Sequence, residues 1–145
     1  MMTRKVFNKR TPAEGGKNFI ALPNDACHYV HHEKMSADKL FLYALIIDYY
    51  NLEEGFAFPS IETLAVAYGK APDTTSKHID DLKAVGLIDF PYKGRYVPLI
   101  PLSATEFYAE FPEAFTNYQT AFRRCETRKA DSRERARLWR EKYAD

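Results

Sequence analysis

Phe58-Pro59-Ser60-Ile61-Glu62-Thr63-Leu64-Ala65, Tyr68-Gly69-Lys70-Ala71-Pro72 and Thr74-Thr75-Ser76-Lys77-His78-Ile79-Asp80-Asp81-Leu82 follow one another in the chain, and their reading decides the fold. Pro59 disfavours helix at Phe58, so the approach is extended, and Ser60 can cap a helix beginning at Ile61. Ile61, Leu64, Ala65 and Tyr68 fall at i, i+3, i+4 and i+7, one face of a short helix. Gly69 supplies the left-handed residue that stops it. After the three-residue turn Gly69-Lys70-Ala71, Pro72 suits the first position of a second helix, which buries Thr75, Ile79 and Leu82 and ends at Gly86. Leu87-Ile88-Asp89-Phe90 then alternates as a strand, Pro91 to Gly94 can turn, and Tyr96 to Ile100 can return antiparallel.

Upstream, Ser36-Ala37-Asp38 opens a helix whose apolar residues run almost without interruption from Leu40 to Ile47. A helix apolar nearly all round is buried, here with stripes Leu40, Tyr43, Ala44, Ile47 and Phe41, Leu45 and an end near Asn51 to Gly55. Before it, Phe19-Ile20-Ala21-Leu22 reads as a short strand or extended piece and Asn24-Asp25 as the start of a helical turn through Tyr29. Downstream, Ser103-Ala104-Thr105-Glu106 fits a capping box and Pro112 restarts a helix toward Phe115, Tyr118 and Phe122, succeeded by an Arg- and Glu-rich segment from Thr127 to Tyr143. Some of these aromatics are expected to cover the helix from Ser36 to Tyr50. The predicted class is mainly α with a small antiparallel β-wing. Residues 1–17 are expected to be a flexible basic arm, 18–102 the folded domain and 103–145 a helical extension.

The net charge of +1 conceals a segregation along the chain. Met1 to Lys17 carries five basic residues against Glu14, and Phe122 to Asp145 nine basic against five acidic, while Asn18 to Gly69 holds two basic against seven acidic. Local potential, screened over about 8–10 Å, is what a partner meets, so the basic ends matter more than the total. There is no uninterrupted apolar run of membrane-spanning length and no apolar core behind Met1-Met2-Thr3-Arg4-Lys5, so a cytoplasmic protein is expected. Cys27 and Cys125 are isolated, without a Cys-x-x-Cys pair, and read as free thiols.

Helix, short turn with glycine, helix and hairpin, with the residues quoted above and Gly86-Leu87-Ile88, resembles the winged helix-turn-helix family of bacterial DNA-binding proteins. With Ile20-Ala21-Leu22-Pro23 and Ser36 to Leu45 included, the chain is most similar to the N-terminal domains of plasmid and phage replication initiators over roughly residues 18–100. The resemblance implies recognition of double-stranded DNA by the second helix of the motif and self-association, and no enzymatic activity or cofactor is expected. On the helical wheel Asp73, Thr74, Ser76, Lys77, Asp80, Asp81 and Ala84 face away from the buried stripe. Thr74, Ser76 and Lys77, with Asp73 beside them, are the expected DNA-facing residues, and Lys70 in the turn with Lys93, Arg95 and Tyr96 in the wing (Tyr92 as an alternative) the expected backbone contacts.

Pro72 and Asp73 stand where related helices carry basic residues, and Asp80 and Asp81 add repulsion toward phosphate. Three roles therefore stay open: a replication or transfer accessory factor of a mobile element, a transcriptional repressor, and a protein-interaction module without DNA. The C-terminal arginines can serve a phosphate-binding helix or pairing with another chain. A homodimer through the aromatic segment after the wing is expected, and other proteins of a replication or transfer complex are further partners. Cys27, His28, His31 and His32 have helical spacing, but no distant cysteine–histidine pair completes a metal site, and packing is the expectation. Adjacent His31 and His32 do not fit the alternating histidines of a metal-dependent nickase. No glycine-rich phosphate loop is present.

Overall fold

The computed structural model describes residues 7, 8, 10, 19–51, 56, 57, 59–92 and 95–144. The expected flexible arm lies outside these residues except for Phe7, Asn8 and Arg10, and so does Lys93 of the expected wing. The elements are a 3-10 helix Asn24–His31, α1 (Ala37–Tyr49), β1 (Tyr50–Asn51), β2 (Phe56–Ala57), α2 (Ile61–Tyr68), α3 (Pro72–Ala84), β3 (Ile88–Tyr92), β4 (Arg95–Pro98), α4 (Ala104–Glu110) and α5 (Pro112–Tyr143). The segment Phe19 to Leu22 pairs as a strand with none of the described residues and leads through Pro23 into the 3-10 helix.

α1 is the central helix because it is apolar on several sides: Leu40, Leu42, Tyr43, Ala44, Leu45 and Ile46 are all buried. Of the second expected stripe Leu45 is buried, joined by Leu42 and Ile46, while Phe41 stays exposed with its ring 6.3 Å from that of Tyr68. Around α1 the core gathers Leu64, Tyr68, Ile79, Leu82, Leu87 and Ile88. Ser60 and Ser103 cap as expected, each accepting from a backbone N–H three residues on. Ser36 does not: its hydroxyl donates to the Asp38 carboxylate, and that carboxylate accepts from the Lys39 N–H at 3.1 Å. An acidic side chain in the first turn satisfies an orphan donor and complements the helix dipole, so the cap is shared between two residues.

The sheet has four strands in the order β1-β2-β4-β3, all neighbours antiparallel. The hairpin after α3 is therefore joined by a second, upstream pair, Tyr50 opposite Ala57 and Asn51 opposite Phe56, with Ala57 opposite Tyr96. β3 runs two residues further than the alternation indicated, and its register shifts between Asp89 and Tyr92, around Pro91. Proline lacks the N–H for a regular ladder and is accommodated at irregular positions. β4 stops at Pro98, yet Leu99 N–H still donates to Leu87 at 2.8 Å and its carbonyl accepts from the Tyr43 hydroxyl. Burial pushes that phenol's pKa up to about 12.

The aromatic series after the wing packs chiefly on the 3-10 helix, in place of the expected cover over α1. Phe107, fully buried, stacks on Tyr29 with ring centroids 4.2 Å apart, and Tyr29 accepts the Leu102 N–H at 2.9 Å. Phe111 meets His32, and Tyr118 meets His31 and Tyr108.

Candidate nucleic-acid interface

α2 and α3 are held at a fixed turn by backbone geometry. Gly69 has φ 75° and donates to Ala65 at 2.8 Å, the left-handed stop that residues with a Cβ rarely adopt. α3 starts at Pro72, and Thr75, fully buried, returns its hydroxyl to Ala71 at 3.0 Å. Thr75, Ile79 and Leu82 form the inner face, as the spacing required. Gly86 at φ 84° and the Leu87 N–H to Leu82 bond close the C-terminal end.

The opposite face carries Asp73, Ser76, Lys77 and Asp80 exposed and Thr74 partly so. Asp81 departs from the helical-wheel reading, because its carboxylate pairs with Lys39 of α1 at 3.0 Å. Lys39 in turn donates to the Lys34 carbonyl at 2.6 Å. One of the two aspartates expected to repel phosphate is thus neutralised by a neighbour that turns it back toward the body.

Lys70 in the turn pairs with Asp38 at 3.2 Å and lies 5.5 Å over the Tyr68 ring. The Ser36 hydroxyl first, and Lys70 with the Lys39 N–H after it, hold the Asp38 carboxyl below its usual range. Next to this pair the Tyr68 hydroxyl and His78 Nδ1 are 2.8 Å apart, a bond from α2 to α3 across the turn. Burial lowers the His78 imidazole and raises the Tyr68 phenol. Sequence reasoning passed over Asp38, Lys39 and His78 as parts of this site. The available signal was His78 one residue before buried Ile79, and Asp38 and Lys39 in the first turn of the helix that α2 and α3 must pack on.

Of the expected wing contacts, Arg95 is on the exposed side of β4. Tyr96 is not: it is 6% exposed and belongs to the core, so it offers no surface to a duplex. Strand alternation is the reason, since neighbours in a strand point to opposite faces and Arg95 takes the outer one. Thr74, Ser76 and Lys77 are brought together with Asp73 on one exposed patch, and Lys70 is placed beside α1.

Cys27 is exposed and His28 lies against Tyr29, Phe107 and Tyr108 with its Nε2 2.9 Å from the Leu102 carbonyl. His31 and His32 pack on Tyr118 and Phe111, and burial lowers the His32 imidazole. Among the described residues no three His, Cys, Asp or Glu side chains gather as a metal site, and no helix is long and apolar enough to cross a membrane.

The family model of the helix-turn-helix domain matches residues 33–88, which run from just before α1 to the first residue of the hairpin. Within the matched residues α2, the turn Gly69-Lys70-Ala71 and α3 have the helix-turn-helix arrangement. With the β3–β4 hairpin as a wing, the arrangement has the winged form, and α3 is the second helix of the helix-turn-helix motif. No curated protein matches the chain. A solved structure titled "Structure of MDR initiator" is similar over 66% of this chain and 88% of its own, at 18% identity and a TM-score of 0.46.

Proposed function

We propose that this protein binds double-stranded DNA without catalysing a reaction on it, with α3 in the major groove and the wing along the flanking backbone. The observation that supports this is the exposed patch Asp73, Thr74, Ser76 and Lys77 in the first two turns of the second helix of a helix-turn-helix. That is the part of such a helix that reaches base edges in a groove about 12 Å wide. Hydroxyls and an ammonium there can serve base edges or phosphates, and Arg95 is the wing contact. The pairing of Asp81 with Lys39 removes part of the objection that α3 is too acidic.

The role favoured by the sequence resemblance is a replication or transfer accessory factor of a mobile element acting in the cytoplasm. A transcriptional repressor would use the same chemistry, so the position of the bound site separates the two. Selection from a random duplex library with the purified chain is the test. Enrichment of one sequence, with affinity falling steeply between about 50 and 200 mM salt, is expected. Direct repeats at an origin support the accessory role, and a promoter operator supports repression. No enriched sequence together with salt-independent binding overturns DNA recognition in favour of a protein-interaction module.

A further inference from the structure

α5 leaves the body of the molecule after its first turns. From Phe122 to Ala144 every described residue is exposed, and at 1.5 Å per residue this is about 33 Å of single helix standing clear. Helices in water draw most of their stability from packing an apolar face, not from propensity. The ion pairs along this stretch, Lys129 with Glu126 and Arg137 with Glu134 and Glu141, are intrahelical and fully open to solvent screening.

One face of α5 is nevertheless apolar in a regular way. Tyr118, Phe122 and Cys125 open a series spaced alternately by four and three residues, and Ala136, Trp139 and Tyr143 close it, with Lys129 and Ser132 between. A mean spacing of about 3.5 residues is the seam of a left-handed two-helix coil. Phe122, Trp139 and Tyr143 are 54%, 63% and 60% exposed, so the seam is uncovered in the single chain.

We propose that this seam pairs antiparallel with the same seam of a second copy, turned about the point between Ala130 and Asp131. Phe122 then meets the partner's Trp139, Tyr118 the partner's Tyr143, and Cys125 the partner's Ala136, each twice. Glu126 reaches the partner's Arg133, also twice. A parallel in-register pair instead stacks Lys129 on the partner's Lys129 and sets Arg128 against the partner's Arg133 and Arg135 against the partner's Arg140. Opposite charge across the flank thus selects the antiparallel arrangement. Covering the four rings of each copy buries roughly 800 Å² in total, and the rest of the seam carries this to the ~1,200 Å² at which specific interfaces begin.

The other flank sets Arg128 against the partner's Arg135, and each helix from Phe122 to Tyr143 carries nine basic residues against four acidic. Salt therefore strengthens the pairing by screening, the reverse of its effect on a phosphate contact. The proposal is independent of what α3 binds, and it confines the expected self-association to α5 beyond the body.

Sedimentation of the full chain without DNA, at low and high salt, is the first measurement. A dimer that tightens with salt, and that F122A/W139A weakens by a hundredfold or more while circular dichroism stays helical in the body, is the expected result. Orientation is read by disulfide trapping in a C27S background. C27S/A136C should cross-link to a covalent dimer, whereas C27S alone should not, since Cys125 lies about 16 Å along the seam from the partner's Cys125. Cross-linking of C27S alone through Cys125 overturns the antiparallel arrangement. A chain that stays monomeric at high micromolar concentration in both salts overturns the pairing. If R124A/R128A then also lowers duplex affinity, α5 is a DNA-binding helix instead.

Discussion

Lys77 and Gly69 sit a few residues apart and do different work. Lys77 is exposed on α3, outside the core, so K77A should leave the melting temperature unchanged while lowering affinity for DNA. If the ammonium meets phosphate, all sequences weaken together and the log–log salt slope falls by about 1; if it meets guanine, discrimination at that base falls by about 1–3 kcal/mol. Quantitative binding to the selected site and to scrambled duplex separates these, and no change in either removes Lys77 from the interface. Gly69 has the converse signature. No atom lies within 4 Å of where a Cβ would sit, so the only cost of G69A is the left-handed backbone at φ 75°. That cost is about 1–2 kcal/mol, measured by urea unfolding with an unchanged m-value. A much larger loss would mean the turn is held by packing that the free space around Gly69 does not suggest.

Among the elements, α4 and α5 divide into a part that completes the body and a part that leaves it. Phe107 on α4 and Ala114 on α5 are buried, and Asn117 Nδ2 donates to the His31 carbonyl at 2.9 Å. Truncation after Ser103 removes the ring stacked on Tyr29 and should unfold the chain, since loss of one buried aromatic alone costs about 3–5 kcal/mol. Truncation after Ala121 removes no described residue that is buried, and its urea midpoint should match that of the monomeric full chain. A midpoint lowered as far as by the longer deletion would place the end of α5 against the body. The contrast assigns the aromatics of the extension two separate tasks, which their common spacing in the sequence does not reveal.

Across the whole molecule, acid acts first on imidazoles. His32 and His78 are both held below the ordinary value, burial being the leading cause in each. Around His78 stand Lys39, Asp38, Asp81 and Lys70, and around His32 stand Glu33, Lys34 and Glu113, whose opposite signs partly cancel. A depressed folded value means the unfolded chain takes up the proton first. The stability from keeping these rings neutral is complete above about pH 6.5 and is lost as pH falls through that value toward the folded one. Asp38, also depressed, adds a second loss further down, once the pH drops below the ordinary carboxylate range. Melting temperatures from about pH 7.5 to about pH 5 should therefore fall, and H32Q/H78Q should flatten the upper part of that curve. An identical slope in the variant would assign the acid sensitivity elsewhere.

The local grammar of this chain was sufficient for the helix-turn-helix. Ser60, Gly69, Pro72 and Gly86 each act through their own backbone and the residues three or four away, so the boundaries of α2 and α3 and the inner face Thr75, Ile79, Leu82 were legible in sequence. The outward face came from the same wheel, except at Asp81. The groups that close around Asp81, Lys70 and His78 come from α1 and α2, at sequence separations that no local period encodes. Alternation along β4 puts Arg95 and Tyr96 on opposite faces, but that the Tyr96 face is the one covered by the core follows only from the assembled chain. The aromatics after the wing were readable as apolar, but whether a ring meets the 3-10 helix or solvent depends on where α5 leaves the body. Periodicity assigns a residue to a face, and only the assembled chain determines what that face meets.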